Sequence, residues 1–294
     1  AIGAHTDKKL GLEGEDSKNV ISAVDMLREI GDGAYPDYTG KRVVVVGGGN
    51  VAMDCARTAM RANAETVSIV YRRRQEDMTA LPAEVEGAIA EGIELVTLKA
   101  PLRVEADAEG NACALWVQPQ IIGPVKGGRP SPRKANKPEE RMECDIVLVA
   151  IGQDIVSGPF ADFGMAVNRG RIAADKGGAA NMVGVYAGGD CVSGPATVIK
   201  AIAAGKAAAA NIDEYLGYHH PISCDVEIPE PMLNDKVPCG RVNLQEVEAW
   251  ARKTNFEGIE LPMSCEEAVQ EASRCLRCDR HGCGTLRGGR EFEW

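Results

Sequence analysis

The chain has few aromatic residues, no excess of positive charge and no long apolar run. Phe, Trp and Tyr together make up 4% of the 294 residues. So few rings disfavour the aromatic stacking platforms found in many nucleic-acid and sugar sites. Lys and Arg number 33 against 43 Asp and Glu, which gives a formal net charge of −10. Because nucleic-acid-binding surfaces are usually basic, this sign disfavours a nucleic-acid partner.

Signals for secretion and membrane insertion are also lacking. The apolar runs at 43–46 and 207–210 are far shorter than the ~20 residues that a membrane-spanning helix needs. Ten cysteines are present, but disulfide frameworks belong mainly to short secreted domains, and this long chain shows no secretory leader. We therefore expect no membrane span, reduced cysteines and a cytoplasmic protein.

Glycine, by contrast, is abundant, with 33 residues, and short apolar runs alternate with helical periodicity early in the chain. The predicted elements there are a strand at 41–46, a helix at 51–62, a strand at 66–71, a helix at 81–91 and a strand at 93–98. Strands and helices that alternate at these lengths predict an α/β fold with a parallel, doubly wound sheet.

Beyond residue 100 the pattern is less regular. We predict strands around 104 and at 112–117, 145–150 and 184–187, and an alanine-rich helix within 195–216. The segment 123–140 is rich in Pro, Lys and Arg, and we interpret it as an exposed loop. From residue 217 onward prolines, charges and cysteines replace the periodicity, which indicates a separate tail.

A glycine turn joins the first predicted strand to the first predicted helix. Gly47, Gly49 and Ala52 fit the Gly-x-Gly-x-x-Gly/Ala fingerprint of dinucleotide-binding proteins. The first glycine permits the turn, the second lets the backbone approach a pyrophosphate, and the small third residue lets the helix pack on the strand. The helix N-terminus adds free N–H donors. The alternative is a glycine turn that binds no ligand.

Arginines stand where NAD-binding proteins usually carry an acidic residue. In those folds an acid at the end of the second strand takes the 2′-hydroxyl of the adenine ribose. Arg72 and Arg73 occupy that place here. Because guanidinium groups bind phosphate through two parallel hydrogen bonds, we infer a 2′-phosphate and hence NADP(H). The alternative is that these arginines, with Arg74, lie on a solvated strand end.

Three further turns indicate a second cofactor site. Ala1-Ile2-Gly3 and Ala150-Ile151-Gly152 share a small-residue form, and each is predicted to end an apolar strand. In the third, Gly188-Gly189-Asp190 follows a predicted strand, and a helix begins near Thr197. A strand-end aspartate beside a helix N-terminus can hold a cofactor hydroxyl. The alternative is a plain glycine turn.

The chain resembles the glutamate synthase small (beta) subunit family of NADPH-dependent FAD and iron–sulfur oxidoreductases. The resemblance covers nearly all of residues 1–216 and rests on an ordered set, namely Ala1-Ile2-Gly3, the run from Gly47 to Asp54, Tyr71-Arg72-Arg73, Ala150-Ile151-Gly152 and Gly188-Gly189-Asp190. It implies a flavoprotein in which a Rossmann-like NADPH-binding domain is inserted in a FAD-binding domain. The implied division is FAD-binding chain at 1–35, the NADPH-binding domain at 36–152, the remainder of the FAD-binding domain at 153–216 and a tail at 217–294.

The resemblance also implies which residues contact each cofactor. Around NADPH these would be Gly47, Gly49, Asn50, Val51 and Ala52 at the pyrophosphate, and Ala150, Ile151 and Gly152 where the chain returns to the FAD domain. Around FAD they would be Gly189, Asp190, Thr197 and Val198. The segment with Met78, Ala80 and Pro82 resembles an altered Met-Pro-Ala segment of the family, and we assign it no ligand contact.

The implied reaction is hydride transfer between NADP(H) and FAD, followed by electron transfer to iron–sulfur centres, with no side chain as acid or base. The family's earlier glycine fingerprint for FAD and its N-terminal iron–sulfur domain are absent from this sequence. We therefore expect either a truncated fragment, which we prefer, or a partner polypeptide that supplies the rest. The alternative is a non-catalytic nucleotide-binding docking module of a larger redox complex.

The tail contains a cysteine cluster. Two residues separate Cys275 from Cys278, Cys283 follows, and Cys265 precedes them. Three thiolates so close together are able to bind an iron–sulfur cluster or a structural zinc ion. The Arg-Cys-Leu-Arg-Cys-Asp run at 274–279 resembles a carboxy-terminal segment of several such oxidoreductases. An iron–sulfur cluster, zinc and a plain reduced tail all stay open.

Overall fold

The computed structural model describes residues 1–220 and 239–275. They divide into two compact units. The sheet unit comprises residues 2–156 and 248–257, and the C-terminal unit comprises Ala1 and the described parts of 157–247 and 258–275. Cys278 and Cys283 lie outside the described residues.

The secondary structure is as follows. The strands are β1 (Thr6–Asp7), β2 (Val20–Ser22), β3 (Arg42–Val46), β4 (Thr66–Tyr71), β5 (Glu94–Thr97), β6 (Lys99–Ala106), β7 (Ala112–Lys126), β8 (Arg129–Lys134), β9 (Glu140–Glu143), β10 (Ile146–Val149), β11 (Gln153–Asp154), β12 (Val167–Asn168) and β13 (Arg171–Ile172). The α-helices are α1 (Ala23–Gly31), α2 (Asn50–Arg61), α3 (Pro82–Ala90), α4 (Gly158–Asp162), α5 (Asp190–Ser193), α6 (Val198–Tyr215), α7 (Ala249–Arg252) and α8 (Cys265–Ser273). A short 3₁₀ turn covers Gln75–Asp77.

The sheet unit contains a five-stranded parallel sheet in the order β2-β10-β3-β4-β5. β3 is buried on both faces. Val43 and Val45 belong to a core shared with helices α1, α2 and α3, whereas Val44 and Val46 belong to a core shared with β6 and β7. The parallel α/β sheet predicted from the sequence is confirmed. The bounds of β3, β4, β5 and β10 lie within one residue of the predicted ones, whereas β2 was not predicted.

The second face of the sheet is covered by an antiparallel meander formed by β6, β7, β8 and β9. The prediction of an exposed loop at 123–140 is wrong. β7 runs on to Lys126, the chain turns at Gly127 and Gly128, and β8 returns beside it. The prolines are tolerated because β8 is an edge strand, where a residue without an N–H group loses no ladder bond on its open side.

Residues 20–31 also belong to the parallel sheet unit. β2 is hydrogen-bonded to β10, and α1 follows it directly. The sheet therefore includes chain on the N-terminal side of residue 36, the predicted start of the NADPH-binding domain. β1 and β11 form a separate two-stranded antiparallel ladder.

The C-terminal unit carries short strands and longer helices. The alanine-rich helix is present as α6, but the strand predicted at 184–187 is not formed. Instead, Tyr186 makes a single bridge with Ala179, because turns at Gly184 and Gly189 leave too little extended chain for a ladder. No helix among the described residues is both long enough and apolar enough to cross a membrane.

Candidate functional site

Two of the predicted site residues meet at the point where the strand order of the parallel sheet reverses. Gly47 follows β3 and Ala150 follows the neighbouring strand β10. A Cβ atom placed on Gly47 would lie 2.3 Å from the Ala150 carbonyl oxygen, so only glycine fits there. In open α/β sheets, ligands bind in the crevice at this switch point.

The next two glycines have different surroundings. A Cβ on Gly48 would lie 2.4 Å from the Tyr71 ring, so this residue is a glycine because the aromatic side chain covers it. A Cβ on Gly49 would meet only the Thr79 hydroxyl, at 3.4 Å. Gly49 therefore presents open backbone, while Ala52 behind it is fully buried.

Helix α2 begins directly after this turn with unpaired donors. The first bonds of the helix are donated by Ala52 and Met53 to the Gly49 carbonyl oxygen. Within the described chain no acceptor meets the N–H groups of Asn50 and Val51, and the first helical turn holds no acidic residue. Free N–H groups and the positive end of the helix dipole together favour an anion at this position.

The side chain of Asn50 ties a neighbouring segment to the glycine turn. Its Oδ1 atom accepts a hydrogen bond from the Leu81 N–H at 2.9 Å. The Gly48 carbonyl oxygen accepts further bonds from Thr79 N at 2.9 Å and Ala80 N at 3.2 Å. The segment to which the sequence assigned no ligand contact thus holds the turn in shape.

The three consecutive arginines after β4 differ in their partners. Arg74 is engaged, because its Nε atom lies 3.0 Å from Asp77 and 3.8 Å from Glu76. The Arg74 hydrogen bond lowers the pKa of Asp77.

Arg73 donates through Nε to the Pro130 carbonyl oxygen at 2.8 Å. Arg72 is exposed, and no hydrogen-bond or ion-pair partner meets its side chain within residues 1–220 and 239–275. Arg72 is therefore the arginine most available to a phosphate.

Ala150, Ile151 and Gly152 lead from β10 into β11. Ala150 is buried, whereas Ile151 is exposed. The Gly152 carbonyl oxygen accepts from Lys8 N at 3.0 Å, which ties this segment to the β1 end of the chain. Of the three, Ala150 is the residue in contact with the glycine turn.

The four residues predicted to contact FAD lie close together within the C-terminal unit. Gly189 has a φ of 78°, a conformation that favours glycine, and Asp190 begins α5. Asp190 Oδ1 accepts from Ala196 N at 3.2 Å, and the Thr197 side chain caps α6 by accepting from Lys200 N. Val198, the first residue of α6, is 75% exposed. The set therefore lies within one short segment, which runs from the residue before α5 to the first residue of α6.

The structure separates two of the cysteines predicted to share a metal. Cys265 is the first residue of α8, and Cys275 lies beyond its last residue. At about 1.5 Å per residue, roughly 15 Å of helix axis separates them, too far for one metal centre. Cys239, which no local spacing links to the cluster because it lies far away in the chain, has its Sγ atom 3.7 Å from Ser273 Oγ at the Cys275 end of α8. In the described chain no three potential ligands form a metal cluster.

Other cysteines show no sign of redox activity. Burial raises the pKa of Cys55 and of Cys144 to about 12. Cys191, next to Asp190, is also buried. All cysteines in the described residues are free thiols. A thiol with a raised pKa is a poor nucleophile, so Cys55 and Cys144 are part of the packing.

The chain is similar to known proteins over most of its length. The sequence profile of the family described as pyridine nucleotide-disulphide oxidoreductase matches residues 1–205. The subunit beta of the NADP(+)-dependent formate dehydrogenase of Moorella thermoacetica is 37% identical over 305 residues, which cover 98% of this chain and 43% of that protein. A putative glutamate synthase (NADPH) small chain of Cereibacter sphaeroides is 36% identical over 231 residues, which cover 74% of this chain and 55% of that protein. The chain spans about half the length of the curated relatives it matches.

A solved structure is similar in fold. FprA of Mycobacterium tuberculosis, in complex with NADPH, aligns with a TM-score of 0.60 and 20% sequence identity, over 74% of this chain and 63% of that one. At this identity the likeness shows the fold alone, an α/β arrangement of dinucleotide-binding domains.

Proposed function

The chain belongs to the pyridine nucleotide-disulphide oxidoreductase family, as the resemblance to glutamate synthase small subunits predicts, and we propose that it is the NADPH-binding region and part of the FAD-binding region of a flavin oxidoreductase. The observation that carries this proposal is the open N-terminus of α2 beside the Gly47–Ala150 contact. The sheet unit supplies the NADPH site, and residues 153–216 supply the later part of the FAD domain.

In this proposal, backbone N–H groups and arginine side chains bind NADP(H). The N–H groups of Asn50 and Val51 donate to the pyrophosphate, and Gly49 lets it approach the backbone because no side chain fills that space. Arg72 takes the 2′-phosphate, supported by Arg73, since an exposed guanidinium without a carboxylate partner is free to bind an anion. Asn50 Oδ1 is engaged with Leu81, so Asn50 contributes through its backbone.

FAD is assigned to the segment that runs from Gly189 through α5 to the start of α6. One carboxylate oxygen of Asp190 is bound to Ala196, which leaves the other oxygen for a cofactor hydroxyl. The N-terminus of α6, capped by Thr197 and flanked by exposed Val198, fits the pyrimidine edge of a flavin. Bound FAD supplies two-electron exchange with nicotinamide and one-electron exchange with iron–sulfur centres. No side chain is assigned as acid or base, because hydride transfer requires none.

The remainder of the FAD domain and further iron–sulfur centres are supplied by chain or subunits outside these 294 residues. The support is the surface of α6, none of whose 18 residues is buried. Val198, Ile199 and Ile202 expose apolar surface there, as expected of a helix that another part of a flavin domain covers. The matched relatives are themselves named as a subunit and a small chain. The free cysteines support the cytoplasmic setting expected from the sequence.

A metal site in the tail forms part of the proposal. We assign Cys275, Cys278 and Cys283 to it, with Cys239 in place of Cys265 as the fourth cysteine, because Cys239 lies at the same end of α8 as Cys275. Thiolate ligands suit both iron–sulfur clusters and zinc, and both stay open.

The purified chain tests the function directly. We expect calorimetric titration to give saturable binding of NADPH. Visible absorbance measures retained flavin, and NADPH oxidation with an artificial electron acceptor measures turnover. Flavin retention with turnover would exclude the non-catalytic docking module, whereas NADPH binding without flavin would support a partial FAD domain. Absence of nucleotide binding by a folded chain would refute the proposal.

A further inference from the structure

The tip of the β7–β8 hairpin reaches the end of β4. Arg129, the first residue of β8, donates from Nη2 to the Tyr71 hydroxyl at 2.9 Å and also to the Asp77 carbonyl oxygen. The next residue, Pro130, accepts the Arg73 Nε bond through its carbonyl oxygen. Two consecutive hairpin residues thus hold both neighbours of Arg72.

These contacts extend to the glycine turn. Tyr71, which receives the Arg129 bond, covers Gly48 with its ring and donates its hydroxyl to the Asp77 carbonyl oxygen at 2.8 Å. Arg129 therefore fixes three elements at once: the end of β4, the 3₁₀ turn and the glycine turn. A guanidinium is suited to this because its fork of N–H groups reaches several acceptors in fixed directions.

Charge distinguishes Arg129 from most other arginines of the sheet unit. Carboxylate partners are present for Arg28, Arg42, Arg57, Arg61, Arg74, Arg103, Arg141 and Arg252. The acceptors of Arg129 are a hydroxyl and a carbonyl, and neither neutralises its charge. In the described chain no ion pair joins Arg72, Arg73 or Arg129 to a carboxylate, and the Asp77 carboxylate that interacts with the charge of Arg73 is itself paired with Arg74. The unneutralised positive charge at the end of β4 therefore comes from two separate parts of the sequence.

We propose that Arg129 completes, with Arg72 and Arg73, a three-arginine pocket for the 2′-phosphate of NADP(H). This inference rests on the proposed function and deepens it, because it assigns specificity to the hairpin as well as to the strand end. A phosphomonoester carries nearly two negative charges and three acceptor oxygens, which match several guanidinium groups. Arg129 adds charge to the pocket and orients Arg73 and Tyr71 around it.

The test compares two small ligands that differ only in the group at issue, 2′,5′-ADP and 5′-AMP, by calorimetry on the full chain. Arg129→Ala is expected to weaken the binding of 2′,5′-ADP about tenfold and the binding of 5′-AMP by less than about twofold, because a charged hydrogen bond is lost only from the 2′-phosphate. Arg129→Lys, which keeps the charge, is expected to recover part of the loss. Arg133→Ala, which removes one positive charge from the same hairpin, is expected to change neither ligand by more than about twofold.

The outcomes separate the two claims. If the wild-type chain binds 2′,5′-ADP no better than 5′-AMP, the assignment of NADP(H) fails. The NADP(H) assignment stands if the wild-type chain prefers 2′,5′-ADP. The role of Arg129 is then refuted if Arg129→Ala weakens the binding of both ligands equally, or weakens the binding of neither. Thermal unfolding of each variant accompanies the titrations, and Arg129→Lys provides the comparison if Arg129→Ala does not fold.

Discussion

Glu91, fully buried after the last turn of α3, is ion-paired with Arg252 of α7 at 2.9 Å. The same carboxylate binds Arg57 at 2.8 Å and Arg61 at 3.0 Å. Segment 248–257 is therefore joined to the sheet unit through a carboxylate that three guanidinium groups surround. A buried charge is tolerated only when it is paired and hydrogen-bonded, and here the pairing connects residues far apart in the sequence.

Removal of this carboxylate is expected to destabilise the sheet unit strongly. Glu91→Gln leaves buried guanidinium groups without a counter-charge, and we expect the free energy of unfolding to fall by about 3–5 kcal/mol. Urea denaturation measures the change. Glu86→Gln, an exposed position on the same helix, is the control and is expected to change stability by less than about 0.5 kcal/mol. Equal effects of the two substitutions would contradict this role.

Because of the Glu91 carboxylate, we expect the folded sheet unit to lose stability at acidic pH. Desolvation alone raises the pKa of Glu91, but the hydrogen bonds from Arg57 and Arg61 outweigh it, so the pKa is lowered from the ordinary value of 4.5. Because the pKa is lower in the folded chain, the stabilisation is complete above 4.5 and is lost as the pH falls below that value. Urea midpoints measured across this range are expected to fall more steeply for the wild-type chain than for Glu91→Gln. Parallel slopes would show that Glu91 does not contribute.

Substitutions at the first and second glycines of the fingerprint, Gly47 and Gly49, are expected to differ in their effects on stability and on NADPH binding. Gly47→Ala places a methyl group against the Ala150 carbonyl oxygen, and we expect a loss of about 1–3 kcal/mol of stability together with weaker NADPH binding. Gly49→Ala has room within the protein, so stability is expected to change by no more than about 1 kcal/mol while NADPH binding falls. Thermal unfolding and calorimetric titration measure the two quantities. Full NADPH affinity in Gly49→Ala would mean that the pyrophosphate does not approach this backbone.

The tail cysteines predict a specific pattern of metal content. We expect Cys239→Ser and Cys275→Ser to lower the iron or zinc content of the purified chain, and Cys265→Ser to leave it unchanged, because Cys265 lies at the opposite end of α8. Elemental analysis of the three variants measures this. A loss of metal in Cys265→Ser alone, or no metal in the wild-type chain, would refute the assignment.

Local sequence patterns predicted the part of the fold that depends on local residues. The strand β3, the glycine turn and α2 follow one another directly, so apolar runs, glycine spacing and helical periodicity were sufficient to identify them. Edge-strand prolines misled the interpretation of 123–140, because Pro130 and Pro132 are compatible with β structure only where one side of the strand is open. The inclusion of β2 in the parallel sheet depends on pairing with β10, which no local signal shows.

The sequence was sufficient to predict the backbone turn of the site, but not most of the contacts that its side chains make. The fingerprint identified Gly47. It does not explain why residue 48 is also glycine, because the Tyr71 ring that leaves no room for a side chain there lies at the end of another strand. The bond between Asn50 and Leu81 and the approach of Arg129 to Tyr71 likewise depend on tertiary packing. The position after the strand favoured Arg72 and Arg73 over Arg74, and the structure adds the physical reason, because Arg74 is bound to Asp77.

The binding of NADP(H) at the end of β4 is tested by the affinity of Arg72→Ala for NADPH and NADH, measured by calorimetric titration beside the wild-type chain and Arg74→Ala. We expect Arg72→Ala to weaken the binding of NADPH about tenfold or more and the binding of NADH by less than about twofold, because only NADPH carries the 2′-phosphate. Arg74→Ala is expected to preserve the preference for NADPH, since Arg74 is bound to Asp77. Equal loss of NADPH and NADH affinity in Arg72→Ala would contradict the assignment of this site to NADP(H).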